Sequence, residues 1–161
     1  MAVALLMLVV SWRWRNVGRG LFVVLFLWAA QVNMRLAIWN PAAYLEYARW
    51  AIYPYADFIR GPFARHTSLY VAAIAVGQLG IGVFTALRGR AVTLGLAGAI
   101  VFLLAIAPLG RGSAFPFSLV ASLAAALLLR HRYQRTLISQ LVERLRHRRV
   151  PEERGRARSG G

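Results

Sequence analysis

Arg88-Gly89-Arg90-Ala91-Val92-Thr93-Leu94-Gly95-Leu96-Ala97-Gly98-Ala99-Ile100-Val101-Phe102-Leu103-Leu104-Ala105-Ile106-Ala107-Pro108-Leu109 is the stretch that decides the fold. Two arginines open it, and 19 residues without a charge follow. As a helix those residues rise ~28 Å, close to the ~30 Å of a bilayer's hydrocarbon core. Three more apolar runs share this character, at about residues 20–39, 67–87 and 115–129. The fourth is the shortest and is expected to stand nearly upright, or to rely on Arg130 and Arg132 snorkelling to the interface.

Arginine alternates with these runs. Arg13, Arg15 and Arg19 precede the first, Arg88 and Arg90 separate the second from the third, and ten arginines follow the fourth. The other two connections, residues 40–66 and 110–113, hold three and one, and Glu46 and Asp57 bring the longer to a net charge of only +1. Arginine-rich loops stay in the cytoplasm during insertion. The pattern therefore predicts an all-α integral membrane four-helix bundle over residues 17–130, with both termini cytoplasmic. A short apolar and basic segment (1–16) precedes it, and a basic cytoplasmic tail (131–161) follows.

Composition agrees. Of 161 residues 59% are hydrophobic, and mean hydropathy is +0.54, too high for an ordinary soluble domain. There are twenty basic residues, all arginine, five acids and a net charge of +15. Arginine without lysine fits a GC-rich bacterial genome. The absence of cysteine excludes disulfides, thiol relays, Fe–S clusters and cysteine zinc sites. Because the charge sits beside membrane spans, anionic lipid headgroups are the expected partner, and nucleic acid is not.

Residues 1–12 reach only ~18 Å as a helix. No basic residue precedes the apolar core, as a secretory signal requires. The segment reads as an interfacial helix or a misassigned start, with a shortened span as the alternative.

Residues 41–66 concentrate Tyr44, Tyr47, Trp50, Tyr53, Tyr55, Phe58 and Phe63 with Glu46, Arg49, Asp57, Arg60 and Arg65. Pro41 can open a helix at its first turn, Pro54 is expected to break it, and a second short helix is expected over 55–59. Two readings stay open. One is an aromatic belt at headgroup level. The other is a cap over the outer mouth of the bundle, supplying polar contacts to an amphipathic ligand such as a quinone or lipid headgroup.

Within the spans Arg35 stands about one turn from the outer end of the first. An intramembrane arginine is a functional candidate by default, though here it can snorkel or pair with Glu46 or Asp57. Gln31 and Arg35 share a face, and Asn33 points elsewhere. Gln78 lies mid-span in Gly77-Gln78-Leu79-Gly80-Ile81-Gly82, where small residues allow close helix approach and an amide can bond across the interface. The ligand-contact candidates are Arg35, Glu46, Tyr53, Tyr55, Asp57 and Gln78. His66, His131 and His147 all lie outside the spans, so a bis-histidine haem is not available. No nucleophile triad, phosphate loop or catalytic carboxylate pair is present, so the chain is not expected to catalyse a reaction alone, and no metal site is expected.

After Arg130, Leu137, Ile138, Leu141, Val142 and Leu145 fall on one helical face, with arginines around the rest. This predicts a basic amphipathic helix ending at Pro151, its Arg144, Arg146, Arg148 and Arg149 meeting the lipid surface.

The order of these features resembles the DoxX-like family of small four-helix bacterial membrane proteins, over about residues 17–130. The aromatic outer segment carries Tyr53-Pro54-Tyr55. The second span has a polar residue, Gln78, four before Gly82. A short basic turn contains Gly89, and an outer turn contains Gly110 and Pro116. Many members have glutamate where Gln78 stands. The resemblance implies a bacterial inner-membrane, non-catalytic subunit of a quinone-linked oxidoreductase or oxidative-stress complex, with quinone held near the outer face and the redox centre carried by a partner. Association with copies of itself stays open. So do two rivals: a small transporter or lipid-handling protein, and a membrane scaffold that recruits a partner through the basic tail.

Overall fold

The computed structural model describes residues 2–112, 115–140 and 142–143, with the side chains of 111 and 112 left aside. The expected lipid-surface residues Arg144, Arg146, Arg148 and Arg149, and most of the amphipathic tail helix, lie outside the described residues.

All regular structure among the described residues is helical. Helix α1 (Ala2–Arg13) is followed by α2 (Arg15–Trp39), a 3₁₀ helix (Pro41–Arg49), α3 (Tyr53–Phe58), a π-helical turn (Ile59–Phe63), α4 (Thr67–Ala86), α5 (Arg90–Ile106), a second 3₁₀ helix (Ala107–Gly112) and α6 (Phe117–Leu129). Helices α2, α4 and the stretch Arg90–Gly110 are long and apolar enough to cross a membrane, whereas α1 and α6 are shorter. Val24, Trp28, Leu69, Val76, Leu94 and Val101 on the three long helices are exposed. Water-soluble monomers rarely present contiguous apolar surface on this scale. The fold fits a membrane protein.

The buried residues follow helical period. Phe22, Phe26 and Ala30 line the inner face of α2, Val71, Ala75, Gln78 and Gly82 that of α4, and Val92, Leu96, Ala99 and Leu103 that of α5. Small residues dominate the inner face of α6, at Ser118, Ala121, Ser122, Ala124 and Ala125, as close packing without a hydrophobic drive between helices requires. Helix α2 packs chiefly on α4, and α5 lies between α4 and α6.

Helix α1 is part of this assembly. It packs along α6 and folds back on α2, burying Ala4, Met7, Val10 and Ser11, with Met7 in the main core beside Ala124 and Leu128. The break is at Trp14 (φ −134°, ψ 77°). The return is tight because Gly18 lies against the Ser11 backbone, where an added Cβ would sit 2.6 Å from its Cα.

The 41–63 region runs as predicted at its start, with Pro41 at the first position of the 3₁₀ helix. Pro54 differs from expectation. It occupies the first turn of α3 rather than only ending the preceding helix, a position where its missing N–H has no intrahelical use. The segment is anchored to the 3₁₀ helix that follows α5, where Ile52 N–H donates to the Pro108 carbonyl at 3.1 Å.

Candidate functional site

Where the 41–63 segment meets α2, α4 and α5, a cavity of about 450 Å³ forms. Asn33 of α2 and Gln78 of α4 form its polar floor, and Tyr44, Tyr47 and Tyr55 its polar rim. Phe58, Ile59, Phe63, Ile74, Phe102 and Ile106 supply apolar wall. The volume falls within the ~300–1,000 Å³ of small-molecule sites, and so does the pairing of an apolar wall with few polar groups.

The polar groups are chained. Tyr44 Oη donates to Asn33 Oδ1, and Asn33 Nδ2 donates to Gln78 Oε1 at 2.7 Å. Gln78 is only 4% exposed, and the amide whose oxygen accepts from Asn33 carries an NH₂ beside the cavity that it lines. That NH₂ is a hydrogen-bond donor suited to a carbonyl or hydroxyl oxygen. Burial, with a smaller contribution from neighbouring Tyr47, pushes the Tyr44 hydroxyl up to about 12, so it remains a neutral donor at physiological pH.

The rim is an interlocked set of rings. Tyr44 meets Tyr47 edge-on at 5.4 Å, Phe63 stacks on Tyr70 at 5.3 Å, and Phe58 contacts Tyr70 edge-on at 5.5 Å. Such pairs favour offset or perpendicular geometry. Tyr44, Tyr47, Phe63 and Tyr70, with Ala37, Ala48, Ile59 and Val71, make a second apolar core distinct from that of the bundle.

Of the six residues singled out from sequence, Tyr55 and Gln78 line the cavity. Arg35, Glu46 and Asp57 are exposed, Tyr53 is 79% exposed, and none of the four lines it. Glu46 pairs with Arg49 at 3.9 Å, both largely solvent-accessible, and no ion pair joins Arg35 to an acid among the described residues. Asn33 is not among the six, because its helical position faces away from Gln31 and Arg35. That separation is the signal that finds it. Gln31 and Arg35 are exposed, so the residue on another face is the one turned toward α4. Among the described residues no group of three His, Asp or Glu side chains comes together to hold a metal ion.

The opposite end of the bundle is built on Arg19, which is completely buried. Its Nε donates to the Thr85 carbonyl at 2.7 Å. One terminal nitrogen donates to the carbonyls of Ala86 (2.9 Å) and Leu87, and the other to that of Arg135 at 3.1 Å. Three of these carbonyls close α4, where the helix dipole favours a cation. The N–H of Gly89 donates to the Tyr133 carbonyl at 2.7 Å. Residues 15–19, 85–90 and 130–135, far apart in sequence, thus meet at one end.

No family model, curated protein or solved structure matches this chain.

Proposed function

We propose that this chain is a DoxX-like protein of the bacterial inner membrane, a four-span bundle with both termini cytoplasmic. In this reading it serves as a non-catalytic subunit of a quinone-linked oxidoreductase or oxidative-stress complex. The observation that carries the ligand assignment is the cavity. An apolar chamber with a nearly buried amide on its floor and phenols at its rim suits a flat, apolar molecule with carbonyl oxygens. A quinone ring has that chemistry. It supplies the capacity to take up and release electrons, while Gln78 would orient its oxygens, Tyr44 and Asn33 would hold that amide through their hydrogen bonds, and the aromatic rim would flank the ring.

Two features support the membrane placement. The arginine-bearing segments around residues 13–19, 88–90 and 130–135 meet at one end of the bundle, the arrangement expected if that end stays in the cytoplasm. The aromatic segment closes the other end, where exposed Trp39, Trp50 and Tyr53 suit a headgroup layer. Helix α6, though short, would make the fourth span, with Arg130 and Arg132 at its end.

The test is purification of the full chain in mild detergent, with mass spectrometry of co-eluting proteins and extractable small molecules. Stoichiometric quinone or a bound redox enzyme is expected. A chain that elutes alone with phospholipid only would overturn the reading in favour of a lipid-handling protein.

A further inference from the structure

We propose that the cleft at the Arg19 end is a binding site for the phosphate of an anionic phospholipid. The cleft, about 720 Å³, is lined by Arg88, Arg90 and Thr93 from the α4–α5 hairpin and by Arg132 and Gln134 from the segment after α6. These two segments are forty residues apart, and two contacts bring them together. Gly89, at a left-handed φ of +61° that favours glycine, presents its N–H to the Tyr133 carbonyl at 2.7 Å. The buried Arg19 guanidinium packs on the Tyr133 ring at 4.9 Å and holds that segment from the core side.

Three guanidinium groups therefore share one cleft. Among the described residues no carboxylate lines it, and none of the three arginines has an ion pair. Like charges converging without an acid call for an anion, and the planar arginine fork matches phosphate oxygens. A lipid is favoured over a soluble phosphate by the surface beside the cleft. Leu94, one turn along α5 from Arg90 on the same face, is 63% exposed, so acyl chains have an apolar helix face to follow directly from the phosphate. Basic pockets between helices at a membrane surface hold lipid headgroups by this combination.

The site is separate from the quinone cavity, and its test does not depend on quinone. The full chain in neutral detergent is titrated with phosphatidylglycerol, phosphatidylcholine or inorganic phosphate and followed by native mass spectrometry. Phosphatidylglycerol is expected to bind in preference to phosphatidylcholine and to resist displacement by inorganic phosphate. Arg88→Gln with Arg132→Gln is expected to weaken it about thirtyfold, at ~1 kcal/mol per arginine. Arg49→Gln with Arg65→Gln, which removes the same charge at the other end, is expected to leave it unchanged. Gln134→Glu, which retains every arginine, is expected to weaken binding as well, so the result does not depend on one variant's folding. Equal binding of the two lipids, or equal loss in the two double variants, would overturn the site. Displacement by inorganic phosphate at matched concentration would overturn the lipid as its ligand and point to a soluble phosphate.

Discussion

The guanidinium of Arg19 lies 4.9 Å from the centroid of the Tyr133 ring, and both side chains are buried. A buried arginine ordinarily needs a carboxylate to offset its desolvation. Among the described residues no acid pairs with it. The terminal carbonyls of α4 receive the charge from one side, and the tyrosine face covers it on the other. Burial pushes the Tyr133 hydroxyl up from its ordinary range, against the opposing pull of Arg19 and Arg15, and that hydroxyl donates to the Leu128 carbonyl at 3.1 Å.

Arg19 is therefore expected to be hard to replace. Arg19→Met removes the desolvation cost but leaves the Thr85, Ala86 and Leu87 carbonyls without their donor. The expected cost is about 3 kcal/mol, or about 10 °C in detergent thermal unfolding. Arg19→Lys keeps the charge but lacks the fork that reaches several carbonyls at once, and should fall between the two. A methionine variant as stable as the wild-type chain would show that the guanidinium does not hold this end together.

In the sequence Arg19 is one of three arginines before the first apolar run, and nothing in its local context distinguishes it from Arg13 or Arg15. What separates them is helix phase. Arg19 stands three residues before Phe22 and seven before Phe26, on the face that α2 turns inward, whereas Arg13 and Arg15 are exposed. The long apolar helices were legible because nineteen uncharged residues in a row leave few alternatives. The inward packing of α1 was not, because twelve residues cannot span alone and their burial depends on the small-residue face of α6. The rings marked residues 41–66 in the sequence but left a belt and a cap both open there, the cavity's polar floor depends on which faces of α2 and α4 meet, and charge alone favoured Arg35 and Asp57 over the uncharged Asn33.

The glycines of the long helices are expected to differ in their tolerance of alanine. At Gly95 an added Cβ would lie 2.5 Å from the Thr85 backbone nitrogen and 2.9 Å from the Phe84 carbonyl carbon, neither of which can move without parting α4 from α5. Gly95→Ala should cost about 1–3 kcal/mol. At Gly82 the obstruction, at 2.9 Å, is the tip of the Leu27 side chain, which can rotate, so the cost should be smaller. Gly77 and Gly80 face open space, and alanine there should be neutral or slightly stabilising. Thermal unfolding of the four variants checks the order.

Ligand affinity is expected to follow the cavity and not the charges. A quinone analogue should bind the Arg35→Ala and Asp57→Ala chains as it binds the wild type, since both residues lie outside the chamber. Gln78→Leu removes the buried amide at similar volume and should weaken binding about tenfold, the worth of one hydrogen bond in a desolvated site. Fluorescence titration in detergent distinguishes the cases. Loss with Arg35→Ala and retention with Gln78→Leu would move the site outside the chamber.

Tyr44 gives the cap a pH limit. Its hydroxyl is raised from an ordinary value near 10 to about 12, so the folded state favours the neutral phenol over the phenolate more strongly than the unfolded chain does. A group raised in this way contributes stability that is fully present below pH ~10 and is lost as pH climbs through about 12. The loss acts at one place, because the phenolate can no longer donate to Asn33 Oδ1 and would leave a charge among Tyr47 and Phe63. Phenolate absorbance separates Tyr44 from the other five tyrosines by difference. Wild-type absorbance minus that of Tyr44→Phe should show a single step well above pH 10, and the wild-type cap should loosen over the same interval while the Tyr44→Phe chain does not. A difference step at pH 10 would mean that Tyr44 is not desolvated as the structure has it.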